Sequence, residues 1–150
     1  SVEIVRGTRG RPQLAGTPAL DFNISHTAGV AIVGVTRRGR IGVDVERLDR
    51  TINVAGIARK FLTSSERNAI ACIDADAGRR QVLTLWTCKE AMSKATGDAL
   101  GAPFGAMDVT LDGRRALRSG PGAYRADHWS LHAAAVPADY VATIALWRPR

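Results

Sequence analysis

Strand-like runs make the clearest early pattern in the chain. Leu20 to Ile24 and Val30 to Val35 are rich in β-branched and aromatic residues, and Ile41 to Val45 is a third such run. Thr36-Arg37-Arg38-Gly39-Arg40 reads as the turn between the last two, which predicts a hairpin there. Ahead of them, Arg6-Gly7-Thr8-Arg9-Gly10-Arg11-Pro12, continuing to about Pro18, is polar and rich in Gly and Pro and predicts a loop.

The period then changes. Val54, Ile57, Ala58 and Phe61 recur at i, i+3, i+4 and i+7 behind a capping Asn53, which predicts a helix. Thr63 and Glu66 have the spacing of a capping box and open a second helix through Ala69, Ile70 and Ile73. A third, from about Arg79 to Thr96, sets Val82, Leu85 and Trp86 on one face and stops at Gly97. Met107 to Leu111, about Tyr124 to Ala134 and Tyr140 to Trp147 return to strand. The order predicts an α+β fold, an antiparallel sheet with packed helices, in a single domain over residues 1–150.

Composition adds exclusions. At 45% hydrophobic and 23% charged residues the chain is neither disordered nor low in core-forming side chains. Cys72 and Cys88 are its two cysteines and stand in no metal or disulfide-framework spacing. No apolar run approaches the roughly eighteen residues of a membrane span, and Ser1-Val2-Glu3 has no signal-peptide character, so a soluble, cytoplasmic protein is expected. The net charge of +7 either reflects an Arg-rich genome bias or attracts anions such as phosphates, nucleic acid or an acidic protein. Only Lys60, Lys89 and Lys94 are lysines. A site that keeps Lys among so many Arg uses its compact charge.

Candidate chemistry gathers at three places. Asp44 and Glu46, two apart on a strand, point to one face and repel one another. Either a hard divalent cation compensates them, or they form the solvent face of an edge strand. Trp86, Glu90 and Lys94 at i, i+4 and i+8 share one helical ridge. Glu90 and Lys94 are either a surface pair or a third carboxylate for the metal with a cation for a phosphate. Asn23, Ser25 and His26 cluster at a strand end, where His26 is either a capped surface residue or a phosphate ligand. Cys88 has no neighbouring base and His128 and His132 have no metal-ligand partners, so these read as structural. P-loop, nucleophile-elbow and dinucleotide fingerprints are absent.

Taken in order, Gly10-Arg11-Pro12, Phe22-Asn23-Ile24-Ser25-His26, Gly42-Val43-Asp44-Val45-Glu46 and Trp86-x-x-Lys89-Glu90-x-x-x-Lys94-x-x-Gly97 resemble the 4′-phosphopantetheinyl transferases of the surfactin-synthetase type. Phe61-Leu62-Thr63-x-x-Glu66 resembles that family's Phe-Phe-Ser-x-x-Glu, with Leu62 and Thr63 as mild departures. The Ser-His motif precedes the Asp strand, whereas in the related holo-acyl-carrier-protein synthases it comes late. The resemblance runs from Arg6 to about Trp147. It implies Mg²⁺-dependent (or Mn²⁺-dependent) transfer of 4′-phosphopantetheine from coenzyme A to a serine of an apo acyl or peptidyl carrier protein, releasing adenosine 3′,5′-bisphosphate.

Carried over, it implies Asp44, Glu46 and Glu90 as metal ligands, with Glu90 and Lys94 as catalytic groups. Arg6, Arg9, Gly10, Arg11, Asn23, Ser25, His26, Lys89 and Lys94 would bind the co-substrate, and the helices after Glu46 would receive the carrier. Ala99 stands where the family commonly has Gly. Members of this type are pseudo-dimers of two similar halves, and on the resemblance this chain begins at the end of the first half, as a C-terminal portion or a self-associating short form. The alternative is a non-catalytic coenzyme A or carrier-protein binding module. A basic RNA-binding domain lacks the clustered exposed aromatics it would need, and neither nucleic acid nor membrane is an expected partner.

Overall fold

A computed structural model describes residues 2–7, 9–16 and 19–149. Nine strands, three α-helices and three 3₁₀ turns follow one another among these residues. A small hairpin comes first, β1 (Ile4–Arg6) against β2 (Pro12–Leu14). A second hairpin pairs β3 (Asp21–Thr27) with β4 (Val30–Thr36). The central sheet runs β5-β9-β8, from Arg40–Arg47, Tyr140–Trp147 and Trp129–Ala133, all antiparallel. A third two-stranded pair, β6 (Asp108–Thr110) with β7 (Ala116–Ser119), lies beyond the helices. The fold is α+β with antiparallel sheets and three helices, as expected from the order of elements.

Local chemistry accounts for the helices. Asn53 caps α1 (Val54–Phe61) by accepting from the Gly56 N–H, and Thr63 and Glu66 close a reciprocal capping box on α2 (Ser64–Ile70). α3 (Ala75–Thr96) starts four residues earlier than its apolar periodicity suggests, because Asp74 accepts from the Ala77 N–H and provides a cap. Ile73, expected inside α2, therefore falls in the connecting turn. Gly97 ends α3 in the left-handed conformation at φ 84°. Two residues on, Ala99 also takes a positive φ, 49°, a region that disfavours a Cβ and explains why Gly suits this position. None of the helices is long and apolar enough to cross a membrane.

Packing departs from the predicted pairing. The hairpin turn is Ala28-Gly29, not residues 36–40, and β5 pairs with the distant β9 rather than with β4. β4 instead lies over β5, where Gly34 leaves room that a side chain would take from Ile41 and Val43. The other edge of β5 has an unusual partner. Asp21, Asn23 and Ser25, on one face of β3, accept from the N–H groups of Ile41, Val43 and Val45 at 2.7, 2.9 and 3.3 Å. Side chains thus satisfy edge donors that would otherwise be buried without partners.

α3 crosses the opposite side of the same strand. At Gly42 a Cβ would fall on the Ala91 carbonyl oxygen and the Ala95 nitrogen, so helix and strand backbones touch only because this residue is glycine. The loop predicted from Arg6 to about Pro18 contains β2 and the last residue of β1, strands of three residues each and too short to show a period; Thr8, Thr17 and Pro18 of that loop lie outside the described residues. The predicted strand from Tyr124 shortens to Trp129–Ala133. Tyr124 is instead a buried post whose hydroxyl meets Thr96 at 2.9 Å and donates to Asp98 at 2.7 Å. Phe22 is buried, whereas Phe61 and Trp86 are half-buried and pack on each other and on Phe104.

Candidate active site

β5 and α3 bring the chemistry together. Alternation along β5 turns Asp44 and Glu46 the same way, and both are buried, at 5% and 8% exposure. The close crossing at Gly42 brings the Glu90–Lys94 ridge of α3 over them. The Lys94 ammonium donates to Asp44 Oδ1 at 2.7 Å, to Ser25 Oγ at 3.1 Å and to the Val43 carbonyl at 3.2 Å. Ser25 Oγ also donates to Asp44 Oδ1 at 3.1 Å. Both carboxylate oxygens of Glu46 accept from Arg50 Nη1, at 2.8 and 2.7 Å.

Two openings meet here. An open cleft of about 660 Å³ is bordered by Ser25, His26, Asp44, Glu46, Arg50 and Lys94. A smaller pocket of about 260 Å³ shares Asp44, Glu46 and Arg50 and adds Glu90, Trp86 and Ile57. His26 is exposed on the rim of the first.

The carboxylates carry the electrostatic load of this arrangement. Burial pushes Asp44 up to about 6, against the pull of Lys94 and with a further push from Glu46. Glu90 is raised to about 7 by burial and by Asp44, with Lys94 again opposing. Because the folded state prefers Glu90 protonated, the stability it contributes is present below its ordinary value of 4.5 and is lost as pH climbs through about 7. Glu90→Gln escapes this loss. Urea denaturation of the metal-free proteins should therefore show the variant gaining on the native chain between pH 5 and pH 8; a constant difference would mean that Glu90 does not titrate in this range.

These groups fit a hard divalent cation. Asp44 Oδ2 is buried with no hydrogen-bond partner. An unpaired, buried carboxylate oxygen is what Mg²⁺ would satisfy. The carboxylates border one pocket without closing into a cage: among the described residues no three His, Cys, Asp or Glu side chains are gathered to hold a metal ion. Lys94 and Arg50 stand beside Asp44 and Glu46 instead.

Other expected co-substrate ligands are placed elsewhere. Arg11 is a correction: its side chain is 5% exposed, it grips both Asp21 oxygens at 2.6 and 2.7 Å, and it donates to the carbonyls of Lys94 and Ile41. It ties β2, β3, β5 and the end of α3 together and has no free N–H face for a nucleotide. Lys89 is a second correction. Its ammonium is fully buried and donates to Glu66 Oε2 at 2.7 Å and to the carbonyls of Phe61 and Phe104 at 2.9 and 2.8 Å.

Asn23 is buried against β5 and borders neither opening, while Ser25 borders the cleft. Arg6 donates to the Gly10 carbonyl within the first hairpin. Arg9 pairs with Asp98 and borders, with Arg11 and Arg40, a separate hollow of about 280 Å³ at the end of α3. Residue-type reasoning missed Arg50 altogether. The only trace was its position four after Glu46, and nothing local shows that a loop will fold it back onto that side chain.

Comparison with known proteins addresses the same elements. The family model described as the 4′-phosphopantetheinyl transferase superfamily matches residues 40–145. The 4′-phosphopantetheinyl transferase HetI of Nostoc sp. is 33% identical over 96 residues, covering 62% of this chain and 40% of the relative. The 4′-phosphopantetheinyl transferase psf-1 of Bacillus pumilus is 30% identical over 111 residues, covering 73% of this chain and 46% of the relative. The chain thus spans less than half the length of these two curated relatives.

Among solved structures, a holo-(acyl-carrier-protein) synthase from Bacillus anthracis in complex with CoA (3′,5′-ADP) superposes with a TM-score of 0.57 at 22% identity, over 73% of this chain and 96% of that one. The holo-[acyl-carrier-protein] synthase of Thermotoga maritima gives 0.58 at 18% identity, over 74% and 64%. At such identities the likeness is one of fold. The family match spans both β5 and α3, the elements that carry Asp44, Glu46, Glu90 and Lys94, and this chain belongs to the 4′-phosphopantetheinyl transferase superfamily.

Proposed function

We propose that this chain carries the site for transferring 4′-phosphopantetheine from coenzyme A to a serine of an apo carrier protein in the cytoplasm, in the manner of the surfactin-synthetase type. One observation carries the reading: Asp44 and Glu46 of β5 border both of two adjoining openings, one shared with Lys94 and the other with Glu90 of α3, with one buried oxygen of Asp44 unpartnered. The order of motifs, Ser25-His26 before Asp44, and the similarity to psf-1 support the type.

In this mechanism Asp44, Glu46 and Glu90 would hold Mg²⁺, or Mn²⁺ in its place. When bound, the cation neutralises charge on the pyrophosphate as it is cleaved. The chain's own groups do the rest. Glu90 takes the proton of the carrier serine. The freed oxygen forms a bond to the phosphorus of the phosphopantetheinyl group, and the bond from that phosphorus to the bridging oxygen breaks, releasing adenosine 3′,5′-bisphosphate. Lys94, held by the Val43 carbonyl and Ser25, keeps a positive charge at the leaving phosphate. His26, exposed on the rim of the cleft, would meet the nucleotide's phosphates, with Ser25 holding Lys94 and Asp44 behind it.

α1 supports docking of an acidic carrier. It exposes Arg59 and Lys60 beside a shallow hollow bordered by Ile52, Ile57 and Phe61, a pairing of apolar floor and basic rim that suits an acidic helix.

Intact mass of an apo carrier after incubation with this chain, coenzyme A and Mg²⁺ tests the reading. The expected result is an added phosphopantetheine that disappears with EDTA. Coenzyme A binding without added mass would favour the binding module, and neither binding nor transfer would overturn the proposal.

A further inference from the structure

We infer that Arg50 is a built-in counter-cation of this site: it holds Glu46 while the divalent cation is away and turns to the phosphates of the co-substrate once the cation arrives. The inference rests on the metal-dependent reading above and concerns one side chain that the family match does not assign.

Two cations stand among the carboxylates, and they are held very differently. Lys94 is tied by three oxygen atoms, those of Asp44, Ser25 and Val43, and its side chain is 28% exposed. Arg50 is bonded through its guanidinium to Glu46 alone among the described residues, and its side chain is 52% exposed. An ion pair that open to water is weak and exchanges easily. Glu46, by contrast, is buried and needs a positive partner in every state of the site. A divalent ion would therefore compete with Arg50 for Glu46, and Arg50 is the partner that yields.

The backbone lets the side chain move without the loop. Arg79 of α3 donates through Nε to the Leu48 carbonyl at 2.6 Å and through its guanidinium to the Arg50 carbonyl, clamping the segment that follows β5. With its backbone fixed, Arg50 borders both the cleft beside His26 and Lys94 and the pocket beside Glu90 and Trp86. A guanidinium released from Glu46 therefore stays within reach of an anion in either opening. Its planar fork suits phosphate oxygens as well as it suits a carboxylate.

Mn²⁺ titration of the substrate-free protein, by calorimetry or by loss of the free-ion electron paramagnetic resonance signal, tests this without any turnover. R50Q should bind Mn²⁺ about fivefold more tightly than the native chain, because a weak competitor is gone. R50K, which keeps the charge, should stay within about twofold of the native value. With Mn²⁺ saturating, R50Q should bind coenzyme A several-fold more weakly. Mn²⁺ affinity unchanged or reduced in R50Q, beside measurable binding by the native chain, would overturn the role of Arg50 and leave the metal reading standing. Tighter Mn²⁺ with unchanged coenzyme A binding would overturn the turn towards phosphate. No Mn²⁺ binding by either protein would overturn both the metal reading and this inference.

Discussion

Asp44→Asn should lower phosphopantetheine transfer by at least about a thousandfold while leaving the chain as stable as before or more so. The two effects have one cause. Asp44 is held in a desolvated place that pushes its carboxyl up to about 6, so the charge costs folding energy. Asparagine removes that cost and can still accept from Lys94 through its carbonyl oxygen. What it loses is the anionic oxygen that Oδ2 offers to a cation, and a metal contributing several kcal/mol to the transition state is worth a thousandfold or more in rate. Glu90→Gln should behave alike. Transfer is read by carrier mass with time and stability by urea denaturation. Near-normal transfer by Asp44→Asn with Mg²⁺ would remove the metal role from this residue, and a collapse of stability would show that the charge serves the fold.

Lys89→Met should produce the largest loss of stability, about 3–5 kcal/mol, or roughly 6–20 °C in Tm. Lys89 and Glu66 are fully buried, at 0% and 2% side-chain exposure, and each is satisfied on every side. Glu66 accepts from the N–H groups of Thr63 and Val109 at 2.8 Å each as well as from Lys89. Burial pulls Lys89 below the ordinary lysine value, with Glu66 holding it up. Methionine fills the volume but leaves a buried carboxylate without its cation and leaves the carbonyls of Phe61 and Phe104 unpaired. Adding Glu66→Gln to this variant should restore part of the loss, since the uncompensated charge is the larger share of it. Thermal unfolding of the three variants decides the matter. A Lys89→Met protein within about 1 kcal/mol of the native chain would mean that the pair contributes nothing net.

Both predictions turn on side chains whose neighbours lie far away along the chain, and this separates what was legible from what was not. The two predicted helix caps at Asn53 and Thr63, the stop at Gly97 and the common face of Asp44 and Glu46 follow from spacings of two to four residues. Those spacings act through local geometry and hold wherever the segment is placed. The likeness of five ordered motifs to a known family likewise needed no coordinates.

Pairing and burial are another matter. Which strand lies beside β5 depends on β9, about a hundred residues later, and on the acceptors of β3 that close its other edge. Nothing in the run Ile41 to Val45 distinguishes those partners from β4. Long cationic side chains are the least readable of all, because their reach lets one residue type serve opposite ends. Arg11 and Lys89 share motifs with the proposed co-substrate ligands yet bond backbone carbonyls and carboxylates inside the protein, and Arg50, which no motif marks, reaches Glu46. Patterning showed the three helices, the longer strands and the residue types of the candidate site, since these depend on neighbours in the chain. Only the folded arrangement assigned each charge its partner, because electrostatic pairing depends on distance through space and on the water excluded between the groups.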